Sequence, residues 1–168
     1  MITVGQPAPS FTLPDHTGTP VSLGDFAGQW VVLYFYPKDN TPTCTTQACE
    51  FRSHWSEVQR SGAVVLGVSP DSPASHQRFR QKYRLPFPLL SDADHAVAER
   101  YGAWGPKRLF GLRYDGILRT TFLIDGNGVV RHIVEKVRAK GHAGEVLRSL
   151  RNTSTPSRLT ASPNATAP

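Results

Sequence analysis

The chain has 168 residues, 39% of them hydrophobic, which is enough for one globular domain with a sizeable core. Its 19 basic and 13 acidic residues give a formal charge of +6, but the basic residues are spread along the chain rather than gathered in a tract, which argues against nucleic-acid binding. There is no run of eighteen or more apolar residues, and residues 1–9 lack the basic and apolar regions of a signal peptide, so a cytoplasmic protein without a membrane partner is expected.

In chain order, Phe11-Thr12-Leu13 and Val21-Ser22-Leu23 are short strand candidates. They flank Pro14-Asp15-His16-Thr17-Gly18, a turn-rich connection suited to a hairpin. Residues 24–29 read as a short turn or helix. Trp30 to Tyr36 is an apolar, aromatic and β-branched run that predicts a buried strand, stopped by Pro37. Lys38, Asp39 and Asn40 make a polar turn. Thr41-Pro42 then opens a helix, with Thr as N-cap and Pro at the first helical position.

That helix is expected to run to about Arg60, with Ala48, Phe51, Trp55 and Val58 as its core stripe. Both cysteines of the chain lie on it. Cys44 falls in the first turn, where unpaired N–H groups and the positive end of the helix dipole favour an anion. A thiol there is expected to favour its thiolate and is a candidate nucleophile. Cys49 follows five residues later, about 140° around the axis and about 7.5 Å along it. An intact helix therefore keeps the two sulfurs apart, and a disulfide between them requires its first turns to unwind. The plainer alternative is two separate buried core cysteines. His54, ten residues from Cys44 on the same helix, cannot serve as its local base.

Ala63 to Ser69 is a second buried strand, followed by a helix from Pro73 to about Tyr83 capped by Asp71 or Ser72. The densest basic group, Arg78, Arg80, Lys82 and Arg84, belongs to that segment and reads as a solvated face. Pro86 to Leu90 is extended, Asp92 to Tyr101 a short helix, and Trp104 to Gly116 a loop. Leu118 to Ile124 and Val129 to Val137 flank Asp125-Gly126-Asn127-Gly128, a strong hairpin signal. Residues 141–151 form the last helix. The alternation of strands and helices predicts an α/β sheet with right-handed crossovers. Residues 152–168 turn to Ser, Thr, Pro, Ala and Asn, and a disordered tail following a 1–151 domain is expected.

Pro37, Thr41 and Cys44 fit a P-x-x-x-T-x-x-C pattern, and with T-P-T-C-T-T-Q-A-C the chain resembles the peroxiredoxins of the Q-type, or bacterioferritin-comigratory, subgroup. The resemblance spans roughly residues 3–150. It implies a thioredoxin-like fold with an N-terminal β-hairpin extension and a central mixed sheet flanked by helices. It also implies a thiol-dependent peroxidase acting on hydrogen peroxide and organic hydroperoxides. In that scheme Cys44 is the peroxidatic residue and becomes a sulfenic acid, and Cys49 resolves it as a Cys44–Cys49 disulfide. Thioredoxin or a glutaredoxin-like protein then reduces the disulfide. Arg119, in the segment Tyr114 to Phe122, takes the role of the family's arginine on a late strand. Thr41 would contact the peroxide as well as cap the helix, and Pro37 would shield the thiol from water. Trp104 matches the subgroup pattern and is read as core or rim. The resemblance implies no cofactor and no metal, and a monomer or weak dimer. Two other functions fit the same thiol: thiol–disulfide exchange, which normally uses a C-x-x-C motif absent here, and a non-enzymatic peroxide sensor.

Overall fold

The computed structural model describes residues 2–154. Its organising element is strand β3 (Trp30–Phe35), whose side chains alternate between two buried layers. Val32 and Tyr34, continued by Tyr36, face one layer together with Ala48, Phe51, Val58, Phe79, Val146 and Leu150. Val31, Leu33 and Phe35 face the other, with Phe11, Leu13, Val97, Tyr101 and Phe122. A strand covered on both faces must be apolar at every position, and this is why residues 30–36 carry no polar–apolar alternation.

Nine strands and five α-helices make up the described residues. Strands β1 (Thr12–Pro14) and β2 (Pro20–Ser22) form the expected antiparallel N-terminal hairpin, followed by a 3₁₀ turn at Leu23–Phe26. After β3 come helices α1 (Pro42–Ser53) and α2 (Trp55–Arg60), strand β4 (Ala63–Ser69) and helix α3 (Pro73–Tyr83). Strand β5 (Leu89–Ser91), helix α4 (Ala96–Arg100) and strands β6 (Trp104–Leu109) and β7 (Leu112–Ile117) follow. Strands β8 (Thr120–Ile124) and β9 (Val130–Val134) and helix α5 (His142–Ser154) complete the order.

The central sheet has the order β5-β4-β3-β8-β9, with β3 parallel to β4 and antiparallel to β8. The register Phe35↔Thr120 brings the start of β8 beside the end of β3, so Arg119 arrives where α1 begins. No helix among the described residues is long and apolar enough to cross a membrane.

Several boundaries differ from the sequence expectation. The helix expected from Pro42 to Arg60 is two helices. His54 leaves helical geometry at φ −100° and ψ 13°, and its ring Nδ1 lies 2.9 Å from the Glu50 carbonyl oxygen. The expected loop at Trp104–Gly116 is the β6–β7 hairpin, a separate two-stranded sheet. Its outer residues Leu109, Phe110, Leu112 and Tyr114 are exposed, so no burial pattern marks it in the sequence. The helix expected over Asp92–Tyr101 is confined to α4, because the Asp92 carboxylate is used to accept from the Val97 and Ala98 N–H groups at 3.2 and 2.8 Å. Residues Asn152, Thr153 and Ser154, assigned to the tail from composition, are the last turn of α5. The remainder of that tail lies outside the described residues.

Candidate active site

Helix α1 starts where β3 ends because Pro37 interrupts the strand and Asn40, at φ 58°, turns the chain. Hydrogen bonds from neighbouring elements fix that turn. The Asp39 N–H donates to Asp71 Oδ2 at 2.8 Å, and the Asp39 carboxylate accepts from Tyr36 Oη at 2.6 Å and Ser75 Oγ at 2.8 Å. His76 Nδ1 lies 2.7 Å from Asp39 Oδ2, and its Nε2 lies 2.9 Å from the Leu90 carbonyl oxygen. Asn40 Oδ1 accepts from Lys82 Nζ and Tyr83 Oη at 3.3 and 3.1 Å. The ligand atoms of Asp39, Asp71 and His76 all come within 4.8 Å of one another, but these bonds already engage them.

Thr41 has the extended geometry of an N-cap and Pro42 occupies the first helical position. The expected side-chain cap is not made. The Thr41 hydroxyl donates instead to the Lys38 carbonyl oxygen at 2.8 Å, closing the turn rather than the helix end. The first-turn N–H groups of α1 are therefore not taken by their own cap residue.

Cys44 lies in that first turn, only 2% exposed, and Arg119 Nη2 donates to its Sγ at 3.1 Å. Arg119 Nη1 donates to Gln47 Oε1 at 2.5 Å. Gln47 is fully buried, one helical turn beyond Cys44 on the same face. A planar guanidinium held at both nitrogens cannot swing away, so the cation is fixed beside the sulfur. Gln47 was not singled out from sequence, although its i+3 spacing from Cys44 could have marked it. Lys107, also not singled out, donates to the Ile117 carbonyl oxygen at 2.8 Å. Its ammonium is held below its usual pKa first by burial and then by the Arg119 charge, with Cys44 acting in the opposite sense.

Below the sulfur lies an aromatic wall. The Tyr34 ring stacks on Phe51 at 5.1 Å and on Tyr36 at 5.4 Å between centroids. Burial, and then the neighbouring Cys44, pushes the Tyr34 phenol well above its usual range, so it remains neutral. This wall backs the sulfur with buried aromatic side chains.

The structure thus brings Cys44 and Arg119 into contact, sets Thr41 at the head of the same helix, and leaves Pro37 half-buried after the end of β3. Cys49 is a free, partly buried thiol further along α1. Trp104 is partly buried, with its ring stacked on His95 at 3.7 Å, and takes no part in these contacts. A buried thiol sulfur beside a fixed guanidinium, in the first turn of a helix, suits nucleophilic attack followed by stabilisation of a leaving anion.

The family model described as AhpC/TSA matches residues 4–133. Peroxiredoxin Bcp of Escherichia coli (strain K12) is 47% identical over 147 residues, covering 88% of this chain and 94% of its own. Peroxiredoxin Bcp of Bacillus subtilis (strain 168) is 46% identical over 153 residues, covering 91% of this chain and 98% of its own. Among solved structures, the Xanthomonas campestris bacterioferritin comigratory protein, described for its alkyl peroxide reduction activity, superposes with a TM-score of 0.81 at 40% identity. That match covers 85% of this chain and 91% of the other. The fold is the thioredoxin-like one expected, with a central mixed sheet between helices.

Proposed function

The chain belongs to the AhpC/TSA family, and from that premise we propose that it is a peroxiredoxin that reduces hydrogen peroxide and organic hydroperoxides through Cys44. The observation that carries the reading is the 3.1 Å hydrogen bond from Arg119 to Cys44 Sγ at the first turn of α1.

The Cys44 thiolate attacks the terminal oxygen of the hydroperoxide. The O–O bond breaks, the sulfur becomes a sulfenic acid, and the departing alkoxide or hydroxide takes a proton to leave as alcohol or water. Arg119, 3.1 Å from the attacking sulfur, stabilises the negative charge that moves onto the leaving oxygen. The Thr41 hydroxyl, whose proton points at Lys38, keeps oxygen lone pairs free to accept from the peroxide O–H. Pro37 keeps water from the sulfur. The Cys49 thiol then attacks the sulfenic sulfur, forming the Cys44–Cys49 disulfide and releasing water. A dithiol protein, thioredoxin or a glutaredoxin-like partner, reduces the disulfide by exchange.

On this reading the protein acts in the cytoplasm as a monomer or weak dimer, with residues 1–151 as one catalytic domain and no cofactor required. Stopped-flow fluorescence tests it. One equivalent of thiol is expected to be lost with peroxide far faster than from free cysteine, and the peptide map of the product is expected to join residues 44 and 49. A rate equal to that of free cysteine overturns the reading.

A further inference from the structure

Two sulfurs five residues apart on one helix have Cα atoms roughly 8–9 Å apart, beyond the roughly 7 Å limit for a disulfide. Closing the bond therefore requires α1 to give way, and whatever ties α1 to the rest of the molecule opposes that step. On the side of Cys44 the ties are Arg119 and the buried stripe of Gln47, Ala48 and Phe51. Beyond Cys49 there are two polar ties. Arg52 Nη1 donates to the Tyr83 carbonyl oxygen at 2.6 Å, and Glu50 reaches across to α5.

The Glu50 contact is unusual in its chemistry. Both carboxylate oxygens accept from the Gly141 N–H, at 2.7 and 2.8 Å. The Gly141 carbonyl accepts the first helical bond of α5 from the Glu145 N–H at 3.2 Å, so Gly141 stands at the N-terminus of that helix. A side chain of α1 thus supplies the negative charge that caps another helix, where open N–H groups and the dipole favour it. The next residue on each side repeats the link. The Phe51 ring meets the His142 ring edge-on at 5.7 Å, and His142 Nε2 lies 2.9 Å from Thr121 Oγ1 on β8.

We propose that Glu50 is a positioning residue for the resolution step, a latch between α1 and α5 that sets how fast the Cys44 sulfenic acid is converted to the disulfide. The proposal rests on the peroxidase reading above. While Glu50 holds Gly141, α1 keeps Cys44 beside Arg119 and Cys49 on another face of the helix. When the contact opens, α1 can unwind and Cys49 can reach Cys44. The chemistry of that step is self-contained: the S–S bond forms, the sulfenic S–O bond breaks, and hydroxide leaves with a proton as water. A tight latch prolongs the sulfenic acid and exposes it to a second peroxide molecule, which carries it to sulfinic acid. A loose latch shortens that exposure. Glu50 therefore trades protection of the sulfur against retention of its activated form.

The test compares the wild type with Glu50→Gln and Glu50→Asp in the full-length chain. Glu50→Gln removes the charge at nearly constant volume, and Glu50→Asp keeps the charge on a shorter arm. Rapid-quench mass spectrometry after one equivalent of hydrogen peroxide follows sulfenic acid and disulfide separately. Disulfide closure is expected to be about two- to fivefold faster in Glu50→Gln and intermediate in Glu50→Asp. The peroxide concentration that gives half sulfinic acid is expected to rise in the same order. Hydrogen exchange is expected to speed in the amides of α1 while those of α3 remain unchanged. Unchanged or slower closure in Glu50→Gln overturns the proposal, as does exchange that speeds equally in α1 and α3, which marks a general loss of stability. If the wild type itself reacts no faster than free cysteine, it is the peroxidase reading that fails.

Discussion

Arg119 and Cys44 lie 75 positions apart in the chain, yet the guanidinium Nη2 is 3.1 Å from the sulfur. The contact depends on two placements that have different causes. Cys44 is set by a proline-started helix, and Arg119 by the antiparallel pairing of β8 with β3. The second guanidinium nitrogen is anchored on the buried amide of Gln47.

Arg119→Lys is therefore expected to be far from conservative. A lysine offers one point of charge and cannot bond Gln47 and Cys44 at the same time. The second-order rate of Cys44 oxidation by hydrogen peroxide is expected to fall about 10- to 100-fold, the worth of one hydrogen bond to a charged group. Gln47→Leu leaves Arg119 in place without its anchor, and a smaller loss of about three- to tenfold is expected. Stopped-flow measurement of both variants checks the order. A larger loss in Gln47→Leu than in Arg119→Lys contradicts it.

Cys49→Ser separates the two halves of the reaction. The first equivalent of peroxide is expected to be consumed at the wild-type rate, because the hydrogen bonds of Arg119 run to Cys44 and Gln47 and do not use Cys49. Turnover with thioredoxin is expected to stop, and sulfenic and then sulfinic acid to accumulate at residue 44. Mass spectrometry of the intact protein reads both outcomes. Sustained turnover with thioredoxin alone would show that resolution does not use Cys49.

His142 predicts a loss of stability in mild acid. Its ring is fully buried, and burial holds its pKa below the ordinary 6.5, with Glu145 and Glu50 opposing the shift. The unfolded chain binds a proton at His142 more readily than the folded chain does. The stabilisation is thus complete above about pH 6.5 and declines as pH falls through that value toward the lower folded one. Urea midpoints at pH 7.5 and 5.5 are expected to differ, with the lower at pH 5.5, and His142→Gln is expected to reduce that difference. An equal difference in the variant would assign the acid sensitivity to other groups.

Gly67 lies within β4, where a Cβ would stand 2.9 Å from Cζ and Oη of Tyr34 and from Leu89 Cδ2. Tyr34 is the centre of the aromatic wall beneath Cys44, stacked on both Phe51 and Tyr36. Gly67→Ala is expected to cost about 1–3 kcal/mol of unfolding free energy, as for other overpacked cores. Chemical denaturation measures this directly. A neutral effect would mean that the wall can shift without penalty.

The elements read best from sequence were those whose surroundings leave one solution. Trp30–Phe35 and Ala63–Ser69 are central strands buried on both faces, so their composition alone marks them. The Thr-Pro start of α1 and the position of Cys44 in its first turn were legible because proline at that place is a local rule. What escaped depends on neighbours far away in sequence. The β6–β7 hairpin stands apart from the central sheet, with Arg108 facing Arg113 and Leu109 facing Leu112, so neither strand shows the half-buried alternation that betrays a sheet. The Thr41 hydroxyl chose Lys38 over the helix N–H groups, a competition that composition does not decide. Arg119 could be assigned only by family resemblance, since nothing in its own segment separates it from the other arginines. Nothing in the sequence separates Glu50 from other helix-surface acids, because its partner Gly141, at the start of α5, lies 91 positions away.

The pairing Phe35↔Thr120 joins strands that leave the ribosome some eighty-five residues apart. Contacts of such separation form late, since the loop between them must first be closed at an entropic cost. During synthesis Cys44 is therefore made long before Arg119, and the contact between them waits for β8 to pair with β3. On the proposed reading, rapid reaction with peroxide is expected only once β8 has joined the sheet.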